Sequence, residues 1–126
     1  MGMVLDSGGL IAFDRGDREV AALVEATRRR REQIVTSSGC VARAWRSSGS
    51  RQALLAQLLR GIEEQALGRH VSRAIGELCA DSASSDVIDA HVALLATDRD
   101  IVLTSDTEDV ETLLRAVGST ATVTRC

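Results

Sequence analysis

Short apolar runs recur along the chain, and each is followed by a stretch whose apolar residues are spaced three or four apart. Met3 to Leu5 is the first such run. It ends at Asp6, Ser7-Gly8-Gly9 interrupts it, and Leu10 to Phe13 restarts as a short helix, so the opening reads strand, sharp loop, helix. Glu19 to Arg31 carries Val20, Leu23, Val24 and Thr27 at helical spacing. It ends in four arginines, Arg28 to Arg31, whose charge suits the negative end of the helix dipole. Ile34 to Thr36 predicts a second strand, Ser37-Ser38-Gly39 a loop and cap, Cys40 to Ser47 a helix, and Ser48-Gly49-Ser50 a turn.

Arg51 to Arg60 is amphipathic, with Leu54, Leu55, Leu58 and Leu59 as its apolar stripe. Ile62 to Leu67 reads as a short third strand with an unusually polar centre, Glu63-Glu64-Gln65. Gly68 to Ala80 is helical, Ser82 to Ser85 a polar connector, and Asp86 to Ala96 a helix apolar nearly all round, which predicts burial. Ile101 to Leu103 is the clearest strand; Thr104-Ser105-Asp106 follows it, then a helix over Thr107 to Val117 and a last strand over Thr120 to Thr124. Strands alternating with helices in this way predict one α/β domain over residues 1–126. The expected architecture is three-layer α/β/α, around a mostly parallel sheet of four to five short strands.

Composition narrows this picture. Hydrophobic residues make up 44% of the 126 positions, enough for one core, whereas aromatics are only 2%, so packing rests on Leu, Val, Ile and Ala. A formal net charge of −3 argues against strong nonspecific nucleic-acid binding by bulk charge. All 15 basic residues are Arg, which reflects either base composition or use of guanidinium for phosphate contact. Cys40, Cys79 and Cys126 are far apart and odd in number, so neither a disulfide framework nor a zinc site is expected. With no signal-peptide pattern and no apolar stretch approaching the roughly 18 residues of a membrane span, the expectation is a cytoplasmic protein.

The candidate chemistry lies in the aspartates. Asp6 and Asp106 each fall just past an apolar strand, the edge at which open α/β sheets bind ligands. Asp86 and Asp89 are spaced i, i+3, so one helix face can carry both, and Asp109, in the same relation to Asp106, could extend the cluster. Asp86 or Asp106 alone reads equally well as a helix cap. Asp89 lies within the apolar run Val87-Ile88-Asp89-Ala90-His91-Val92, where an ionised group needs a partner or a metal. Clustered carboxylates call for a cation, and hard oxygen ligands point to Mg²⁺ or Mn²⁺.

Four segments in order, VLDSGGLIAFDRGDR, ARAWRSSGSRQALLAQLLRG, SDVIDAHVALLA and VLTSDTEDVETLL, resemble a PIN-domain protein of the VapC toxin type over roughly residues 3 to 115. The resemblance implies a Mg²⁺- or Mn²⁺-dependent endoribonuclease of a toxin–antitoxin pair, usually a homodimer, silenced by a small cognate antitoxin. It carries the first acid onto Asp6, the third onto Asp89 or, with a one-turn shift, Asp86, and the fourth onto Asp106. Thr104 and Ser105 fall where family hydroxyls hydrogen-bond the acids or a water.

The chain departs from the pattern at the second acid, usually Glu: the matching position holds Arg43. An inward Arg43 would pair with the acids in place of the metal; an outward one would leave a site short of one ligand. Two functions therefore stand open, an active nuclease and a catalytically weakened module that dimerises and binds antitoxin or RNA. A receiver-like or phosphatase-like domain ranks lower, because such folds want a Lys near phosphate and this chain has none. Arg15 and Arg18, near the Asp6 loop, join Arg43, Thr104 and Ser105 as substrate-binding candidates. His91 and Cys40 read as structural, Trp45 as core or dimer contact with base stacking as the lesser alternative, and Arg28 to Arg31 as a solvated helix end that could also meet phosphates.

Overall fold

The computed structural model describes residues 2–46 and 50–126. Five strands, β1 (Met3–Leu5), β2 (Ile34–Ser37), β3 (Glu63–Gln65), β4 (Ile101–Thr104) and β5 (Thr122–Arg125), form one sheet in the order β3-β2-β1-β4-β5, and every pairing is parallel. The helices are α1 (Ser7–Asp14), α2 (Arg18–Arg29), α3 (Ser38–Ala44), α4 (Ala53–Arg60), α5 (Arg69–Ser82), α6 (Val87–Leu95) and α7 (Thr107–Val117), with a 3₁₀ turn at Ser50–Gln52 before α4. The α/β expectation is met with all five strands parallel. The turn expected at Ser48 and Gly49 lies outside the described residues.

Helix α1 packs on α2, α3 and α4, while α5, α6 and α7 pack on one another. The chain runs from β1 to β2 and β3 in one direction and from β3 to β4 and β5 in the other, and the general right-handedness of such crossovers puts the two helix groups on opposite faces. The central strand is accordingly buried at every position: Met3, Val4 and Leu5 are each at most 1% exposed. Val102 and Leu103 extend this core on β4, and Leu10, Leu55, Leu58 and Leu113 close it from the helices.

The polar third strand has its explanation in this order. β3 lies at the sheet edge, where Glu63 and Glu64 are exposed, and charged side chains there discourage pairing with another chain. Ser38 Oγ donates to Glu64 Oε2 at 2.7 Å, tying the edge back to the start of α3.

Because the chain leaves β1 toward β2 on one side and enters β4 on the other, the order reverses between β1 and β4. A crevice opens there beyond their carboxyl ends. Asp6 ends β1 and Asp106 lies two residues past β4, so the topology alone brings these two acids to that crevice. Among the described residues, no helix is long and apolar enough to cross a membrane.

Candidate metal centre

Three of the four aspartates singled out in the sequence are helix N-caps. Asp6 caps α1, its Oδ1 accepting from the Gly9 N–H at 2.9 Å. Asp86 caps α6, its Oδ1 accepting from Ile88 and Asp89 N–H, both at 3.0 Å. Asp106 caps α7, its Oδ1 accepting from Asp109 N–H at 3.2 Å. Capping does not exhaust a carboxylate, because one oxygen serves the helix and the other stays free for a second role. The N-terminal ends of these helices also bring positive dipole ends to the acids they cap.

Among the described residues, the group able to share one cation is Asp89, Asp106 and Asp109. Each offers a carboxylate oxygen, and the three oxygens lie within 4.8 Å of one another. Asp109 reaches the cluster because it is the third residue of α7, directly above its cap, the position that Asp106 holds through its N–H. At this separation two ionised carboxylates repel by about 3 kcal/mol before further screening. Asp89 carries most of that cost, being only 7% exposed. Burial, then the Asp86 charge and a hydrogen bond shared with Asp109, push its carboxyl up to about 7.

Asp6 and Asp86 lie outside that trio but touch its surroundings. Asp6 is 3% exposed; burial raises its pKa, the neighbouring Asp106 charge adds to the rise, and the Thr104 hydroxyl and the Gly9 and Gly8 N–H groups oppose it. Thr104 joins the two acids, since its Oγ1 also accepts from Asp106 N–H at 2.9 Å. Cys40 feels the charges of both Asp6 and Asp89, which with burial push its thiol up to about 12 and leave it inert.

Arg43 points inward. Its Nη2 lies 3.1 and 3.0 Å from the two oxygens of Asp86, and its Nη1 lies 3.7 Å from Asp89 Oδ1. Although partial burial works the other way, the Asp89 N–H and this guanidinium hold the Asp86 carboxyl below the usual carboxylate range. The direction of Arg43 follows from a glycine. A Cβ on Gly39 would lie 2.8 Å from Ile88 Cγ1, so α3 and α6 approach closely at that point. Arg43 is four residues on, hence on the same face of α3, and meets the start of α6.

A second glycine closes the crevice. A Cβ on Gly8 would fall 2.5 Å from Ser105 Oγ and 2.8 Å from Ser105 N, so only Gly lets the first turn of α1 rest on the loop that carries Asp106. Ser105 is exposed there, beside a cavity of about 550 Å³ lined by Gly8, Ile11, Arg15 and Cys126 among others. A second cavity of about 240 Å³ shares Ile11 and Arg15 and adds Arg43, Arg46 and Gln52. Arg15 therefore lines two hollows, one shared with Ser105 and the other with Arg43, whereas Arg18, at the start of α2, lines neither.

The remaining candidates take structural places. Trp45 ends α3 half-buried against the core. Arg28 and Arg29 close α2, with Arg29 paired to Glu25 at 3.5 Å. His91 is 1% exposed and its Nδ1 meets Ser37 Oγ at 2.7 Å, but its Nε2 is buried with no hydrogen-bond partner among the described residues. The expected structural histidine is thus only half satisfied.

The donor set suits a hard divalent cation: oxygen ligands only, one buried, one partly buried and one exposed. No protein-family model matches the chain, and no curated protein matches it.

Proposed function

We propose that the protein is a metal-dependent endoribonuclease of the PIN-domain toxin type, holding Mg²⁺ or Mn²⁺ between Asp89, Asp106 and Asp109. The observation that carries this reading is the convergence of the three carboxylates at the topological switch point of a parallel sheet, with Asp6 one residue past the neighbouring strand. The sequence resemblance adds RNA as the substrate, and a small cognate antitoxin and a second copy of the chain as partners.

A bound divalent ion supplies charge to a phosphoryl centre and acidifies a bound water. The protein's residues do the rest. Asp89, Asp106 and Asp109 hold the cation. The Asp6 carboxylate, beside Asp106, would take the proton from the attacking water. Arg15, exposed and lining both hollows, contacts a backbone phosphate of the substrate. Thr104 orients Asp6 and Asp106 together.

The test is cleavage of a structured RNA such as tRNA by purified protein with Mn²⁺ or Mg²⁺. EDTA is expected to stop the reaction and Asp6→Asn to slow it about a hundredfold or more, about 3 kcal/mol of transition-state stabilisation. Unchanged cleavage by Asp6→Asn defeats the mechanism.

The two-pronged contact of Arg43 with Asp86 favours a second reading, in which the domain retains partner binding but has lost catalysis. Tight Mn²⁺ binding by the wild type in calorimetry speaks against it. Metal binding that appears only in Arg43→Glu speaks for it.

A further inference from the structure

We propose that Arg43 is a tethered cation that fills the Asp86 end of the acidic cluster and confines a divalent ion to the Asp89–Asp106–Asp109 end, thereby setting how tightly the site holds metal. This rests on the metal-site reading above and assigns the role of the arginine within it.

The acids divide into two halves that meet at Asp89. On one side Asp86 is engaged on both oxygens: Oδ1 accepts from Ile88 N–H, Asp89 N–H and Arg43, and Oδ2 accepts from Arg43 again. The oxygen that the cap leaves over, Oδ2, is thus taken up by the guanidinium. On the other side Asp106 uses one oxygen as a cap and Asp109 uses neither for a backbone donor, so both can face a cation. Asp89 is common to both, with Oδ1 3.7 Å from Arg43 Nη1 and the trio's oxygens within 4.8 Å.

Two consequences follow from charge. Arg43 offsets one of the four carboxylates, which lowers the attraction that the cluster as a whole exerts on a divalent ion. Its guanidinium also stands between Asp86 and Asp89, 3.0 and 3.7 Å from their oxygens, where an ion shared by those two carboxylates would compete with it. The arginine is held there by backbone packing: Gly39 against Ile88 fixes the face of α3 that carries it. It is therefore a positioning residue, acting on the ion through Asp89 and Asp86.

The experiment is Mn²⁺ titration of the full chain by calorimetry, with thermal melting alongside. Arg43→Gln is expected to bind Mn²⁺ about tenfold more tightly than wild type and to gain a larger metal-induced rise in Tm, while Arg43→Lys stays within about threefold of wild type. Asp86 keeps its two backbone N–H partners in Arg43→Gln, so α6 retains its cap and the variant is expected to fold. The neutral pair Arg43→Gln with Asp86→Asn, which removes one charge of each sign, should fall back to within about threefold of wild type. Wild-type binding left unchanged or weakened by Arg43→Gln overturns the inference while the metal site itself stands. A double variant that falls further than about threefold below wild type overturns it too, by making Asp86 a ligand. Absence of Mn²⁺ binding in every variant removes both the inference and the metal reading.

Discussion

Asp100 and Asp89 are both aspartates with less than a tenth of their surface exposed, 9% and 7%, and they lie at opposite edges of one sheet. Asp100, just before β4, accepts from Gly2 N–H at 2.8 Å on one oxygen and from the Thr97 N–H and hydroxyl, each at 2.8 Å, on the other. It ties the start of β1 to the turn before β4 and has donors on both oxygens. Asp89 has an arginine at 3.7 Å on one side and acids on the other. Burial of a carboxylate is thus no mark of a site. The mark is burial together with too few donors and too many like charges, a combination that a cation resolves.

The largest effect that tests this contrast is on cleavage. Asp106→Asn is expected to reduce RNA hydrolysis about a thousandfold, equivalent to about 4 kcal/mol, with little change in Tm, because Asn still caps α7. Asp100→Ala should do the reverse. Losing three donors' common acceptor costs about 3 kcal/mol and lowers Tm by about 10 °C, while cleavage per folded molecule persists. If Asp100→Ala removes activity without unfolding the chain, the division between a structural and a chemical edge fails.

Gly8→Ala probes the closure of the chemical edge. The added Cβ would meet Ser105 backbone nitrogen as well as its hydroxyl, so rotating the Ser105 side chain cannot relieve the clash and the loop bearing Asp106 must move. A loss of about 2 kcal/mol in stability is expected, with weaker Mn²⁺ binding. Stability and metal affinity both unchanged would show that the loop is not held by this contact.

Much of this arrangement was legible in the chain. The apolar runs fixed the strand positions, and Asp6 and Asp106 followed from their places after Leu5 and Thr104. Asp109 was visible only as a neighbour at i+3, because a second acid in the first turn of a helix is ordinary. Its membership of the cluster depends on where Asp89 arrives from another element. The inward direction of Arg43 was likewise open, since it depends on the close approach of Gly39 to Ile88, a contact across about fifty residues of sequence. The polarity of Glu63 to Gln65 looked anomalous until the strand order placed it at an edge.

The smallest effect expected is also the one that isolates Asp89. Unfolded, its carboxyl titrates near 3.8; folded, it is pushed up to about 7. Between those values the folded chain keeps a proton that the unfolded chain has released. Stability therefore falls as pH rises from about 4 to about 7 and is level above that. Asp89→Asn removes the ionisable group and with it this slope. The variant should be more stable than wild type at pH 8, with a higher Tm, and differ little from it at pH 4. Saturating Mn²⁺ should act in the opposite sense on the wild type. It binds the ionised form and strengthens as pH rises through 7, so the metal-induced rise in Tm grows with pH in wild type and is smaller in Asp89→Asn. Thermal melts of both proteins at pH 5 and 8, with and without Mn²⁺, measure the whole set. Parallel pH profiles for the two would place the charge strain elsewhere than Asp89 and dissolve the contrast with Asp100.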